Sequence, residues 1–415
     1  MLSKPLWSVS VICKNEEDAI FSMTASLKKF IDLGGEIVVI DTGSTDKTIN
    51  SLESLGFKKD ENSQLRYEEV GDRFTFDVDS YLKEINTEFI SPGDNPFEPT
   101  GKKVFDFGAA RRYAGSRCKN DWVLSVDCDE VFSVLNIDIL NAVIMSGNIH
   151  QMSFVFRYKD GNGNNNSVTS RDKFYNKNFG DWKWVVHEQV KALPNKELNM
   201  MHLPENVLSL DHYQHPAEHR NNYLISMCID VMKDPNDQHV FWLGREFYFT
   251  GYHNSAISTL KKYLQKYPDA WSSERCMASL YIGDCYISLS KLSNISNEKA
   301  KEQETEALVW YFKSALCEKS FREPWIKLAN YHYSKKEFSF TVQFLSAALK
   351  IKQVSSNYMN DTSCYGSDPH IKLYISLYAN GEKEKSYKVW KKACSLFPKE
   401  KGIEDHRYLF TQISS

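Results

Sequence analysis

WVLSVDCDE, running from Trp122 to Glu130, decides how this chain folds. Trp122 to Val126 is a short apolar run of the kind buried on both faces of a parallel sheet. It ends abruptly in Asp127-Cys128-Asp129-Glu130. Residues i and i+2 of a strand point to one face, so Asp127 and Asp129 converge at the strand's carboxyl end. Ligands of open α/β sheets bind there. A hard divalent cation such as manganese or magnesium takes oxygen ligands and bridges carboxylates to phosphates. A solvated acidic turn after a strand would carry the same residues.

Working back from this stretch, the pattern repeats. Ser8 to Ile12 (SVSVI) and Glu36 to Ile40 (EIVVI) are also β-branched runs. Between them, Ile20, Met23, Leu27 and Ile31 fall near helical spacing, which predicts a helix over about 18–33, stopped by Gly34-Gly35. Asp41-Thr42-Gly43-Ser44-Thr45-Asp46 breaks the second strand, and a helix over about 47–55 follows. Amides at such a turn can receive an anion or ribose hydroxyls. Ser44 and Thr45 read as helix caps, and Asp41 as the functional acid. Strand, helix, strand, helix with tight polar turns indicates a parallel α/β sheet. Residues 78–103, rich in Pro and Gly, read as an inserted loop that covers a ligand, shapes a second site or lies passively on the surface. A helix over about 107–118 then leads into Trp122.

Working forward, Met152–Tyr158 and Ser167–Tyr175 flank a Gly/Asn loop and predict a β-hairpin. Val185-Val186-His187-Glu188 and Leu208 to His212 are read as strand ends. From about residue 216 the pattern becomes helical. Passes centred on Trp242–Leu264, Leu280–Leu316, Trp325–Leu349 and Leu373–Leu396 recur at about 34 to 45 residues, which suits stacked helical hairpins of the tetratricopeptide (TPR) type. Lys291 to Glu306 reads as a polar insertion between helices. The expectation is two domains, 1–215 and 216–415, which suits the 415-residue length.

Composition sets limits. Hydrophobic content of 42% and charged content of 25% are those of a globular protein. The net charge of -3 gives no global field for nucleic acid or membrane. The nine cysteines form no C-x-x-C pair, which argues against a disulfide framework or zinc knuckle. No apolar run approaches the roughly 20 residues that span a bilayer, and Met1 to Trp7 has no signal-peptide layout. A cytoplasmic chain without a membrane partner is the expectation.

Four segments, taken together and in order, carry a resemblance: Val9 to Glu17 (VSVICKNEE), Val38 to Thr48 (VVIDTGSTDKT), Asp106 to Arg111 (DFGAAR) and Trp122 to Glu130. They look like family 2 glycosyltransferases of the GT-A fold, over roughly residues 7–215. Val186-His187-Glu188 and Asp211-His212-Tyr213 resemble a subgroup that carries a TPR-like domain behind the transferase. The resemblance implies a Rossmann-like, mostly parallel sheet domain followed by an all-α TPR-like domain. It implies an inverting, metal-dependent transfer of a sugar from a nucleotide-diphosphate donor, a UDP-sugar first among them. Asn15 and Glu16 match the nucleotide-holding loop, and Asp41 the acid that contacts the nucleoside. Arg111 matches an arginine that reaches phosphate or sugar. The asparagine expected next is Arg112 here. Asp127 matches the donor-sugar contact and Asp129 the metal ligand, with Mn2+ or Mg2+ as cofactor. His212 matches a late metal histidine, compatible with manganese.

Glu188 is the candidate general base, because an inverting transfer needs a carboxylate to take the acceptor's proton. His187 is a second metal ligand, an acceptor contact or a structural histidine. Arg171 and Lys173 could neutralise phosphate, and Trp182 and Trp184 stack on a sugar or pack in the core. Cys128 should point away from the metal. A nucleotidyltransferase would need a Gly-rich basic loop where Cys13-Lys14-Asn15-Glu16-Glu17 stands. The non-enzyme alternative is a weak transferase-like scaffold whose repeats bind a protein. The acceptor is a peptide, a glycan or a modified DNA base. The last needs a basic groove, which Arg111, Arg112, Arg117 and Lys119 could begin. A homodimer through the helical domain is a further expectation.

Overall fold

The computed structural model describes residues 3–79, 89–94, 101–160, 163, 165–213, 220–352 and 361–410. The chain divides into two compact units. One comprises Met1–Ile85 and Phe97–Lys233, the other Asn86–Pro96 and Asp234–Ser415.

The first unit begins with β1 (Trp7–Cys13), α1 (Ala19–Ser26), α2 (Lys28–Asp32), β2 (Glu36–Asp41), α3 (Thr48–Ser54) and β3 (Leu65–Glu69). The helix expected over 18–33 is thus two helices, divided at Leu27, whose ψ of 6° leaves the helical region. β4 (Thr75–Asp77) and β5 (Lys103–Phe105) pair antiparallel at the base of the insertion. Then follow α4 (Phe107–Arg117), β6 (Trp122–Val126), β7 (Glu130–Leu135), α5 (Ile137–Met145), β8 (Gln151–Lys159) and β9 (Asn165–Asn176). The unit ends with β10 (Gly180–Lys183), β11 (Gln189–Ala192), β12 (Met200–His202), β13 (Leu208–Tyr213) and α6 (Arg220–Lys233).

The main sheet has the order β3-β2-β1-β6-β9-β8-β13-β7, with β12 added beside β8. β1, β2, β3 and β6 run parallel, as do β8, β12 and β13. Antiparallel pairs join β6 to β9, β9 to β8, and β13 to β7. The sheet is therefore mostly parallel, as the resemblance implies. The chain leaves β1 toward β2 on one side and reaches β6 on the other. In open α/β sheets such a reversal marks the ligand-binding edge, here the carboxyl ends of β1 and β6. Asp127 and Asp129 follow directly from β6. Val9 and Val11 on β1, Ile37 and Val39 on β2, and Leu124 and Val126 on β6 are all fully buried in one core cluster. At the other end of these strands, Arg66 donates to Glu36 (2.6 Å) in a buried ion pair.

Val185 to Glu188 is not a strand end. It is the connection between β10 and β11, which pair as a separate hairpin. The hairpin expected around the Gly/Asn loop is present as β8 and β9, while residues 161, 162 and 164 of that loop lie outside the described residues.

The second unit is helical. It contains α7 (Asp237–Phe249), α8 (His253–Lys266), α9 (Ser272–Leu289), α10 (Asn297–Cys317), α11 (Glu323–Ser334), α12 (Phe338–Ala348), α13 (Asp368–Ala379), α14 (Lys383–Leu396) and the short α15 (Lys401–Glu404). Four consecutive pairs, α7/α8 to α13/α14, match the four expected passes. Small residues let paired helices approach. A Cβ at Gly244 would lie 2.5 Å from Leu260, and one at Gly283 would lie 2.5 Å from Tyr311. Asp284 accepts from Tyr311 (2.6 Å), Tyr248 (3.1 Å) and Lys327 (2.8 Å), so one carboxylate ties successive pairs together.

Three expectations change here. The polar stretch 291–306 is not an insertion between helices, because α10 begins at Asn297 with Ser296 as its cap. The α/β unit runs through α6 to Lys233, beyond the boundary expected at 215/216, since Asp230 of α6 bonds back to Val185 and Val186. Within the insertion, Phe89 to Asp94 belongs to the helical unit. Asp94 accepts from the amide (2.9 Å) and hydroxyl (2.6 Å) of Ser255, and Phe89 O accepts from Thr259 (3.0 Å). Residues 80–88 and 95–100 lie outside the described residues.

Candidate active site

The site is assembled from one buried guanidinium outward. Asp106 caps α4 by accepting from Ala109 N (2.8 Å), which starts the helix four residues before Arg111. Arg111 is 4% exposed. Its Nη1 donates to Ser125 Oγ (3.0 Å), its Nη2 to both oxygens of Asp127 (2.8 and 3.1 Å), and its Nε to Glu188 Oε1 (2.7 Å). Ser125 and Asp127 share one face because they are i and i+2 in sequence. A planar fork with donors at fixed angles is what three such partners need. Arg111 braces Asp127 and Glu188.

Lys173, on β9, completes a second layer. Its Nζ donates to Asp127 (2.9 Å) and to Glu130 (2.7 Å). Glu130 also accepts from the Asp127 amide (3.1 Å), which fixes the turn after β6. Burial raises the Asp127 carboxyl, but the charges of Arg111 and Lys173 outweigh it and hold the group well below the usual carboxylate range. Burial pushes Glu130 up to about 7, with Lys173 opposing and Asp127 adding to the rise. Burial depresses Lys173, yet Asp127 and Glu130 raise it above the ordinary lysine value. Arg171, its neighbour on β9, turns elsewhere, to the Tyr158 hydroxyl and over the Phe156 ring.

Asp129 and His212 meet on the other side of the turn. His212 Nε2 lies 2.9 Å from Asp129 Oδ2. β13 runs antiparallel to β7, and this register sets His212 opposite Glu130. The His212 ring is flanked by Phe156 (5.5 Å) and Tyr158 (5.2 Å). Burial lowers its pKa, but the bond to Asp129 and that acid's charge raise it overall. A carboxylate oxygen and an imidazole nitrogen are donor types that manganese accepts. Among the described residues no group of three or more His, Cys, Asp or Glu forms a fuller cage. Cys128 points the other way, into the core, and is 2% exposed.

Asn15, Glu16 and Asp41 bond to the loops after β1 and β2. Asn15 has a φ of 56°, and its Oδ1 accepts from Thr45 N (2.8 Å) while its own amide donates to Ser44 Oγ (2.9 Å). The Glu16 amide donates to Thr48 Oγ1 (2.7 Å). These bonds staple the loop after β1 to the loop after β2. Asp41 is 3% exposed and accepts from the amides of Gly43 and Ser44 (both 3.1 Å) and from the Ser44 hydroxyl. Its carboxylate closes its own turn rather than facing outward. Ser44 therefore serves this turn and the Asn15 staple.

Other candidates have structural partners. Trp182 is core, packed edge-on to Tyr175 and beneath Arg111. His187 Nε2 lies 2.9 Å from the Tyr223 hydroxyl. Arg112 donates to Trp182 O (2.7 Å), Arg117 pairs with Glu61 and Glu68, and Lys119 Nζ donates to Asn62 O. Arg111 is buried, whereas Arg112, Arg117 and Lys119 are exposed. Sequence reasoning missed Ser125 and Asp230 and gave Glu130 no role. Ser125 had a signal in its i, i+2 relation to Asp127. Asp230 had one as a single acid inside the apolar run Leu224 to Met232.

Gly108 shows how tightly this site is built. A Cβ there would lie 2.1 Å from Trp184 O. Gly108→Ala is expected to push the 184–188 loop off α4, destabilising by about 1–3 kcal/mol. A thermal melt unchanged from the parent chain would refute that.

No family model matches the chain. A curated relative from Rickettsia bellii (strain RML369-C), described as an uncharacterized glycosyltransferase, is 29% identical over 148 residues. That match covers 36% of this chain and 35% of the relative's length. Solved structures with similarity include S. aureus TarS, at 16% identity and a TM-score of 0.38, over 72% of this chain and 55% of that one. A form of S. aureus TarS in complex with UDP has 13% identity and a TM-score of 0.33, over 75% of this chain and 90% of that one. A TPR protein of Thermus thermophilus has 14% identity and a TM-score of 0.32, over 45% and 88%. Likenesses at these TM-scores add nothing to the fold read from the chain itself. The chain is similar to a curated glycosyltransferase, and it joins an α/β sheet unit to a unit of helical hairpins, as the resemblance implies.

Proposed function

We propose that this chain is a glycosyltransferase that moves a sugar, with inversion, from a nucleoside-diphosphate donor to a hydroxyl or thiol acceptor. The observation that carries the reading is the Arg111 clamp. One guanidinium fixes Asp127 and Glu188 beside each other at the carboxyl end of β6, with Asp129 of the same turn paired to His212 of β13. The curated relative supports the class of reaction, and UDP is the first nucleotide to test.

Each residue has a task in this reading. Asp127, held ionised by Arg111 and Lys173, orients hydroxyls of the donor sugar. Glu188 is held through Oε1, so Oε2 is the oxygen that takes the acceptor's proton as the acceptor oxygen or sulfur attacks the anomeric carbon. One displacement with one base inverts the centre. Asp129 and His212 hold Mn2+ or Mg2+, which when bound offsets negative charge on the departing diphosphate. Peptide, glycan and modified base remain the acceptor classes to compare, with the helical hairpins as the surface that recruits them.

The test uses the full chain with UDP-glucose, UDP-N-acetylglucosamine and GDP-mannose, with and without manganese, and reads released nucleoside diphosphate. Release from at least one donor is expected. No release, together with no nucleotide binding by calorimetry, would leave only the scaffold reading. Asp129→Ala is expected to weaken manganese binding at least about tenfold, read by the EPR signal of free Mn2+. Unchanged binding would remove Asp129 as a ligand.

A further inference from the structure

The loop that presents Glu188 is strained. Trp184 has a φ of 73° and His187 a φ of 50°, two left-handed residues within four positions and neither a glycine. Non-glycine residues keep such angles only where surrounding contacts over-determine them. Here the contacts come from two helices. From α4, the Phe107 amide donates to Val185 O (3.0 Å), and Gly108 lies directly beneath Trp184 O. From α6, Asp230 Oδ1 accepts from the Val185 amide (2.7 Å) and Oδ2 from the Val186 amide (3.0 Å). Tyr223, two helical turns earlier on α6, meets His187 Nε2. Asp230 is 1% exposed, and burial pushes its carboxyl up to about 7, against the two amide donors and Lys233 that favour the ionised form and with Asp106 adding to the rise. A buried acid is costly unless it is bonded. Both oxygens of this one are spent on the backbone two and three residues before Glu188.

We infer that Asp230 and Tyr223 are positioning residues for the transfer: from α6 they hold the 184–188 loop in its left-handed form and so set the Glu188 carboxylate against Arg111 and Asp127. The inference rests on the reading of Glu188 as the base. Asp230→Asn keeps the shape but replaces one acceptor oxygen with an NH2 group that faces an amide donor. Tyr223→Phe removes only the hydroxyl.

The test measures nucleoside-diphosphate release by the full chain from the best donor of the three above, for Asp230→Asn and Tyr223→Phe alone and each combined with Glu188→Gln. Alone, Asp230→Asn is expected to lower kcat about tenfold, the scale of a misplaced catalytic group, with the donor KM unchanged. Combined with Glu188→Gln it should add less than about twofold, because the group it positions is already disabled. Tyr223→Phe should show the same pattern at smaller size, and it keeps the question open to test if Asp230→Asn fails to fold. A loss of equal size in the Glu188→Gln background, or a rise in donor KM with kcat unchanged, would overturn the positioning role. If Glu188→Gln alone leaves kcat intact, the base assignment itself has failed, and that outcome is distinct.

Discussion

Replacing Arg111 with methionine is expected to destabilise the α/β unit by about 3–5 kcal/mol, the cost of removing one partner from a buried ionic cluster. Methionine fills similar volume, so the loss is not a cavity. It comes from Asp127, Glu188 and Ser125, which all bond to this one guanidinium. Lys173 still neutralises Asp127, but Glu188 loses the donor that orients it. Donor turnover should fall at least about 100-fold, because both carboxylates lose their placement. Arg111→Lys keeps the charge but not the fork, since a single ammonium cannot span three partners. It should recover part of the stability and little of the turnover. Denaturation followed by tryptophan fluorescence, run beside the donor assay, checks both. An unmoved midpoint for the methionine variant would mean that the cluster does not brace the unit.

Glu188→Gln is expected to lower kcat by about 10²- to 10⁴-fold, the usual range for losing a positioned general base. Glutamine keeps an oxygen that can accept from Arg111 Nε, so the loop should stay in place. What disappears is the ability to take a proton. Donor binding, measured by calorimetry, should therefore be unchanged while turnover collapses. Turnover equal to the parent chain would exclude Glu188 as the base. A joint loss of binding and turnover would assign it to donor placement instead.

The layout of the molecule was legible because burial in a parallel sheet leaves an unambiguous trace. Strands β1, β2 and β6 lie between two layers and read as continuous β-branched runs. The helical pairs from α7 to α14 read from their repeat. Where reading failed, a local cue competed with a contact distant in sequence. The charged stretch 291–306 looked like an insertion, yet most of it extends α10, whose polar residues lie on the exposed side. Val185 to Glu188 looked like a strand because of its β-branched pair. Its amides bond instead to Asp230, which no spacing rule links to them.

The sequence by itself determined the order of the units, the strand that carries Asp127 and Asp129, and the direction in which Cys128 points. Those follow from periodicities of two and 3.6 residues, which act along the chain. Only the tertiary structure decided that Asp41 and Asn15 close and staple loops, that Arg111 is a buried brace, and that Asp129 meets His212. Such roles depend on which polar groups become neighbours once water is excluded. A buried acid or guanidinium must then find partners wherever the fold supplies them, as Arg111 does in Glu188, 77 positions away.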